Sequence, residues 1–216
     1  MKHYLTYIEA AIKKHWSRPA ITNYGANSYT YGELAAGIEK MHILFNKYGI
    51  KKGDHVAICA RNSAEWCIAF YGITTYGAVA VPLLADFLPQ NIADLTKISG
   101  SRLLFVDKAI LGNLTRDNII AQFADYEELQ GVVDIVKCET IDTCGGDVKV
   151  SQEELDTAFK ARFPKGFTAA DVQFEVGGLD DLNIISYTSG TSSSPKGVML
   201  PAKSLSGNLE MAHKLV

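Results

Sequence analysis

The stretch HVAICARNSAEWCIAFYGITTYGAVAVPLL, residues 55–84, decides the fold. Its ends, HVAIC (55–59) and VAVPLL (79–84), are short, almost continuous apolar runs. Between them Asn62-x-x-Glu65 is a helix start signal, and Trp66, Phe70 and Ile73 follow at helical spacing. Strand, helix, strand is the unit of a parallel sheet. Runs this uniformly apolar belong to strands buried on both faces rather than on one.

The same alternation continues outward. RLLFV (102–106), GVVDIV (131–136) and IISY (184–187) are further strands of the same kind. Thr30-x-x-Glu33 opens a helix with a capping box, in which the hydroxyl bonds the third helical N–H and Glu33 reaches back. Leu34, Ile38, Met41, Phe45 and Tyr48 then share one face, and Gly49 supplies a left-handed stop. Ser151-x-x-Glu154 opens another helix, with Leu155, Phe159 and Phe163 on its apolar side. Aromatic residues at this spacing read as core rather than as a cofactor pocket. The expected fold is α/β, a mostly parallel sheet flanked by helices. Residues 137–150 and 164–182 read as exposed loops.

With 47% hydrophobic residues in 216, the chain can bury a full core and is not of disordered composition. A net charge of −3, with no basic cluster, gives no footing for nucleic acid. No apolar run approaches the roughly 20 residues that cross a bilayer. The first residues, MKHYLTYIEAAIKKHW, carry scattered charges and no small-residue cleavage site, unlike a signal peptide. A cytoplasmic setting is the expectation, with peripheral attachment to a membrane as its variant. Cys59 and Cys67 lie in apolar runs as small hydrophobes. Cys138 and Cys144 match no common zinc spacing.

One stretch is of another character: YTSGTSSSPKGV, residues 187–198. It follows the IISY run and precedes VML and a helical pattern, giving strand, loop, strand, helix. A loop that holds phosphates needs close backbone approach, converging N–H and hydroxyl donors, and a cation. Gly190 and Gly197 offer the first. Thr188, Ser189, Thr191, Ser192, Ser193 and Ser194 offer the second, and Lys196 the third. It is not a Walker loop, because Pro195 stands where the second glycine belongs and Gly197, not a hydroxyl residue, follows the lysine. A Gly/Ser linker is the other reading of these residues alone. A linker has no need of Pro195-Lys196-Gly197 between two apolar strands.

YTSGTSSSPKGV resembles the phosphate-binding signature of the AMP-forming adenylating enzymes, which include acyl-CoA synthetases, peptide-synthetase adenylation domains and luciferases. The resemblance extends over TYGELAAGIEKMHILFNKYGIKKGDHVAICARNSAEWCIAFYGITTYGAVAVPL (30–83) in order and spacing, and over LPQNIADLTKISGSRLLFVD. It covers most of 20–210, with little signal in 137–180. It implies that a carboxylate attacks the α-phosphorus of ATP to give an acyl-adenylate and pyrophosphate. A thiol, usually CoA, then takes the acyl group. It implies that the loop from Thr188 to Gly197 wraps the β- and γ-phosphates, with Thr191 and Ser192 in hydroxyl contact. Lys196 would clamp the departing pyrophosphate, which makes Lys196 and Thr191 the candidate catalytic residues. Magnesium is expected on the nucleotide, held by phosphate oxygens and water, with no protein metal ligand singled out.

Two residues depart from the family pattern. Ser193 stands where glycine is usual; a positive φ there would cost a serine about 1 kcal/mol. Pro201-Ala202 replaces a Thr-His or Ser-His pair, which puts the acyl-site role of that histidine in question; Pro201 would suit the first turn of the next helix. The resemblance further implies that adenine, ribose, hinge and C-terminal catalytic segments lie downstream. The expectation is therefore that 1–216 is the N-terminal part of an AMP-binding domain, cut just after the phosphate loop, and inactive alone. Such a piece would be open to self-association through faces that the remainder covers. PLLADFLP is closer to long-chain fatty acid–CoA ligases than to peptide-synthetase domains. The alternatives are a non-enzymatic nucleotide- or acyl-binding module and an adenylating enzyme with a carrier-protein acceptor.

Overall fold

The computed structural model describes residues 1–107, 110, 121–188 and 196–215. In chain order the elements are α1 (Tyr4–Lys14), β1 (Pro19–Thr22), β2 (Ser28–Thr30), α2 (Tyr31–Lys47), β3 (His55–Cys59), α3 (Ala64–Tyr76) and β4 (Val79–Leu83). There follow α4 (Pro89–Ile98), β5 (Ser101–Val106), β6 (Gly131–Asp134), β7 (Glu139–Asp142), α5 (Gln152–Arg162), β8 (Leu182–Thr188), β9 (Lys196–Pro201) and α6 (Ala202–Leu215). Seven strands form one sheet in the order β7-β6-β5-β3-β4-β8-β9, and β1 pairs with β2 separately.

The apolar runs form the parallel strands. β3 pairs parallel with β4 on one side and β5 on the other, β5 with β6, and β4 with β8. Alternate residues of each run enter different cores. Val56, Ile58, Leu103 and Phe105 pack with α2, α3 and α5 on one face. Ala57, Cys59, Leu104 and Val106 pack with Ile92, Ala93 and Leu95 of α4 on the other. The opposite placement of α3 and α4 has a topological cause. The chain steps from β3 to β4 in one direction, then back across β3 to β5 in the other. Right-handed parallel crossovers in opposite directions put their helices on opposite faces. The connections after β3 and β4 therefore diverge, which opens a crevice at the carboxyl ends of these two neighbours.

Helix starts follow the capping chemistry. Thr30 and Glu33 make the reciprocal box at α2, and Ser151 and Glu154 make it at α5. At α3 the cap is Ser63, whose Oγ accepts from the Trp66 N–H at 3.1 Å, one residue later than the Asn62 start. Asn23 from the β1–β2 turn adds to it by accepting from the Ala64 N–H at 2.7 Å. The buried face of α2 is the expected one, and Gly49 takes φ 63 just past its end. On α3 Ile73 is buried as expected, together with Ala64, Ile68, Ala69, Gly72, Thr74 and Thr75. Trp66 and Phe70 stack on each other, 5.4 Å apart, and only border the core.

The segment 137–150 is not simply a loop. It contains β7, antiparallel to β6, between Cys138 (φ 56) and Cys144 (φ 47). Within 164–182 a 3-10 turn, Ala169–Asp171, is capped from Thr168, and the rest is irregular up to β8. Pro201 ends β9 opposite Leu182 instead of entering the helix, which begins at Ala202. No helix among the described residues is long and apolar enough to cross a membrane.

Candidate functional site

β8 runs parallel to β4, so its last residue, Thr188, lies at the same sheet edge as the ends of β3, β4 and β5. β9 returns antiparallel from that edge. In register, Thr188 faces Lys196 and Tyr187 faces Gly197. The two chain ends that residues 189–195 connect are thus neighbours, at the edge where open α/β sheets take their ligands. Ser189, Gly190, Thr191, Ser192, Ser193, Ser194 and Pro195 lie outside the described residues. Of the ten loop positions singled out from the sequence, the structure places Thr188, Lys196 and Gly197, and it brings those three together.

Each of the three has a local reason for its position. Thr188 and Lys196 are exposed, as strand ends at a sheet edge are. No carboxylate among the described residues is paired with the Lys196 ammonium. Gly197 serves packing. A Cβ there would lie 3.2 Å from Ile185 Cγ2 and 3.2 Å from Tyr187 Cε1, so its absence lets the Tyr187 ring lie against β9. Burial pushes the Tyr187 phenol up from its ordinary pKa, against the pull of a hydrogen bond with Ser99. The ring is a packed, neutral wall of the hairpin.

The rest of the edge comes from the connections after the other parallel strands. Asp107, just past β5, accepts from the Arg61 N–H after β3 at 2.8 Å and from the Ile110 N–H at 2.9 Å. This carboxylate ties two strand ends together. After β4 the chain exposes Leu84 and Leu88, an apolar rim beside β8. Cys59 below this rim is held as a thiol, its pKa pushed up to about 12 by burial and then by Asp107. Cys138 and Cys144 are also pushed up to about 12, chiefly by burial. All four cysteines are free thiols.

Other hollows lie among the described residues. One of about 740 Å³ is lined by Glu39, His42, Arg162 and Glu175, between α2, α3 and the segment before β8. His42 is held neutral there, its pKa pushed down to about 4 first of all by burial. None of the three placed loop residues lines it. Among the described residues, no three His, Cys, Asp or Glu side chains converge to hold a metal ion.

The root of the β8–β9 pair holds residues that no sequence motif marked. Tyr4 of α1 donates its hydroxyl to Asn183 Oδ1 at 2.5 Å, and its N–H to Ser206 Oγ at 3.0 Å. These contacts span 179 and 202 positions of chain, so no local pattern could have carried them.

The AMP-binding enzyme family matches residues 8–215 of the chain. Surfactin synthase subunit 2 of Bacillus subtilis is 28% identical over 194 residues, which are 89% of this chain and 4% of that protein. The long-chain-fatty-acid–CoA ligase FadD13 of Mycobacterium tuberculosis is 31% identical over 170 residues, 79% of this chain and 29% of its own length. Among solved structures, the inhibitor-bound N-terminal domain of FACL13 from Mycobacterium tuberculosis superposes with a TM-score of 0.70 at 25% identity. That match covers 95% of this chain and 46% of the other. The chain spans less than a third of the length of these two curated relatives.

Proposed function

The chain belongs to the AMP-binding enzyme family, and from that premise we propose that it is the phosphate-loop portion of an ATP-dependent ligase joining a carboxylate to a thiol. The carboxylate oxygen attacks the α-phosphorus of ATP, the bond to the bridging oxygen of the β-phosphate breaks, and pyrophosphate leaves. The thiol sulfur then attacks the acyl carbonyl and AMP leaves. The observation that carries this reading is the pairing of Thr188 with Lys196 at the carboxyl edge of the sheet, at the two ends of a segment rich in hydroxyls.

In this reading the hairpin contributes binding and charge. Lys196 sits where negative charge accumulates as pyrophosphate departs, and a fixed cation there favours the transition state over the ground state. The hydroxyls and N–H groups of Thr188 to Ser194 supply donors to the β- and γ-phosphates. Thr191 and Ser192 are the direct hydroxyl contacts. Gly197 keeps Tyr187 flat against β9 and so fixes the strand from which Lys196 projects. Magnesium would ride on the nucleotide's own oxygens and water.

The acyl group is proposed to be a long fatty acid and the acceptor CoA. The 31% identity to a long-chain-fatty-acid–CoA ligase supports this, as does the exposed apolar pair Leu84 and Leu88 after β4. Free thiols at all four cysteines support a cytosolic setting. The test is product analysis with the full-length protein, ATP, CoA and carboxylates of graded chain length. AMP and an acyl thioester that peaks with long chains are expected. ADP as the product would overturn the reaction class, and a peak at short or aromatic acids would overturn the substrate.

A further inference from the structure

β8 lies beside β4, with Ala80 and Ile184 in parallel register, and its Ile185 packs into the core with Val79 and Val81. β9 is an edge strand, exposed from Lys196 to Met199. Asn183 and Thr188 are five positions apart along β8, about 17 Å of extended chain. The pair runs toward the loop from a root at Asn183 and Pro201, where α1 and α6 meet it, and Ile185 and Tyr187 pack along its length.

We propose that α1 is a latch on this root and that Tyr4 is a positioning residue for the phosphate loop. The proposal rests on the loop reading above. Tyr4 and Asn183 are each 6% exposed and Ser206 is fully buried, so the bonds among them lie in the interior. The phenol donates to the Asn183 side chain on β8. The Tyr4 N–H, unpaired within the first turn of α1, donates to Ser206 on α6, whose hydroxyl donates in turn to Ala202 O at 2.9 Å. One residue thus bonds the strand that enters the loop and the helix that follows it. Around this node Tyr4, Leu5 and Ala202 form their own apolar cluster with Leu205 and Leu209, apart from the two main cores. A second tie acts in the same direction: Glu9 of α1 accepts from the Phe174 N–H at 3.0 Å, in the segment that leads into β8. The phenol also has a hydrogen bond with the Thr74 side chain of α3, and in this proposal its effect on the loop passes through Asn183.

Tyr4→Phe removes one oxygen and leaves Asn183 buried without its donor. A buried polar group left unpaired costs enough to open its surroundings about tenfold more often. In the full-length enzyme, amide hydrogen exchange in residues 182–188 and 196–201 is expected to rise about tenfold, while 55–59, 79–83 and 101–106 stay unchanged. The KM for ATP should rise with it, and the KM for the carboxylate should not. Tyr4→Phe combined with Asn183→Leu removes both polar partners and should restore slow exchange. Ser206→Ala, which cuts only the bond from the Tyr4 N–H to α6, should give a smaller change in the same segments. Unchanged exchange in 182–201, a uniform rise over all strands, or local loosening with an unaltered KM for ATP would each overturn the latch. A wild-type enzyme with no ATP-dependent chemistry would refute the functional reading instead, and the exchange pattern alone would then judge whether α1 holds the root.

Discussion

A Cβ placed on Gly72 would meet Met41 Cβ at 2.7 Å and Met41 Cγ at 2.9 Å. α2 and α3 pack so closely at this point that only hydrogen fits between them, and both helices stand on the face of the sheet that buries Val56 and Phe105. In an exposed helix, replacing glycine with alanine gains about 1 kcal/mol of propensity. Here that gain is outweighed, because Met41 Cβ is fixed to its backbone. Gly72→Ala is expected to destabilise by about 1–2 kcal/mol, lowering Tm by about 2–4 °C per kcal/mol. Gly37→Ala, which meets Ile68 Cγ2 at 2.8 Å, should cost a similar amount, because a β-branched side chain in a helix is held to one χ1 rotamer. Thermal denaturation of the two variants checks both costs.

Gly197 tests the packing of the loop's own hairpin. Gly197→Val would press on Ile185 and Tyr187, both already at 3.2 Å from an added Cβ. The expected cost is about 1 kcal/mol in stability. In the full-length enzyme the KM for ATP should rise more than the KM for the carboxylate, because the displaced strand carries Lys196. Steady-state kinetics in both substrates separate the two.

His42 gives the fold a defined pH dependence. Its pKa is about 4 in the folded protein against 6.5 for the free side chain, so the unfolded chain takes up the proton first. Stability from this residue is complete above pH 6.5 and is lost as pH falls from there through about 4. Its size over that interval is about 3 kcal/mol. Neighbouring Glu39 runs the other way, its carboxyl pKa raised by burial and eased by Arg162, so its share falls as pH rises past its ordinary range. Urea denaturation between pH 7 and 4 should show a shallower loss in His42→Gln than in wild type, and the difference between the two curves isolates the histidine.

Much of this architecture is written in short patterns. The parallel strands are legible because a strand covered on both faces must be apolar at every position. The boxes at Thr30 and Ser151 are legible because a cap is a contact over three residues. β7 escaped because its four residues, ETID, are all half-buried and form no apolar run. On α3 the aromatics suggested the buried face, yet the closest contact falls to Gly72, which carries no hydropathy signal. For the site, the loop and Lys196 stand out by composition and resemblance, and the register that sets Thr188 opposite Lys196 follows from strands on both sides. The Tyr4–Asn183 bond joins residues 179 positions apart and is visible only in the folded chain.

The central claim is that this hairpin holds the departing pyrophosphate, and ATP–pyrophosphate exchange in the full-length enzyme tests it most directly. Lys196 is exposed, so Lys196→Ala should leave the fold and Tm unchanged. Exchange driven by a long-chain fatty acid should fall about 100-fold or more, the scale for removing one preorganised partner of transition-state charge. Carboxylate-dependent exchange in wild type with that loss in the variant is the expected result. Exchange at full rate in Lys196→Ala would contradict the account.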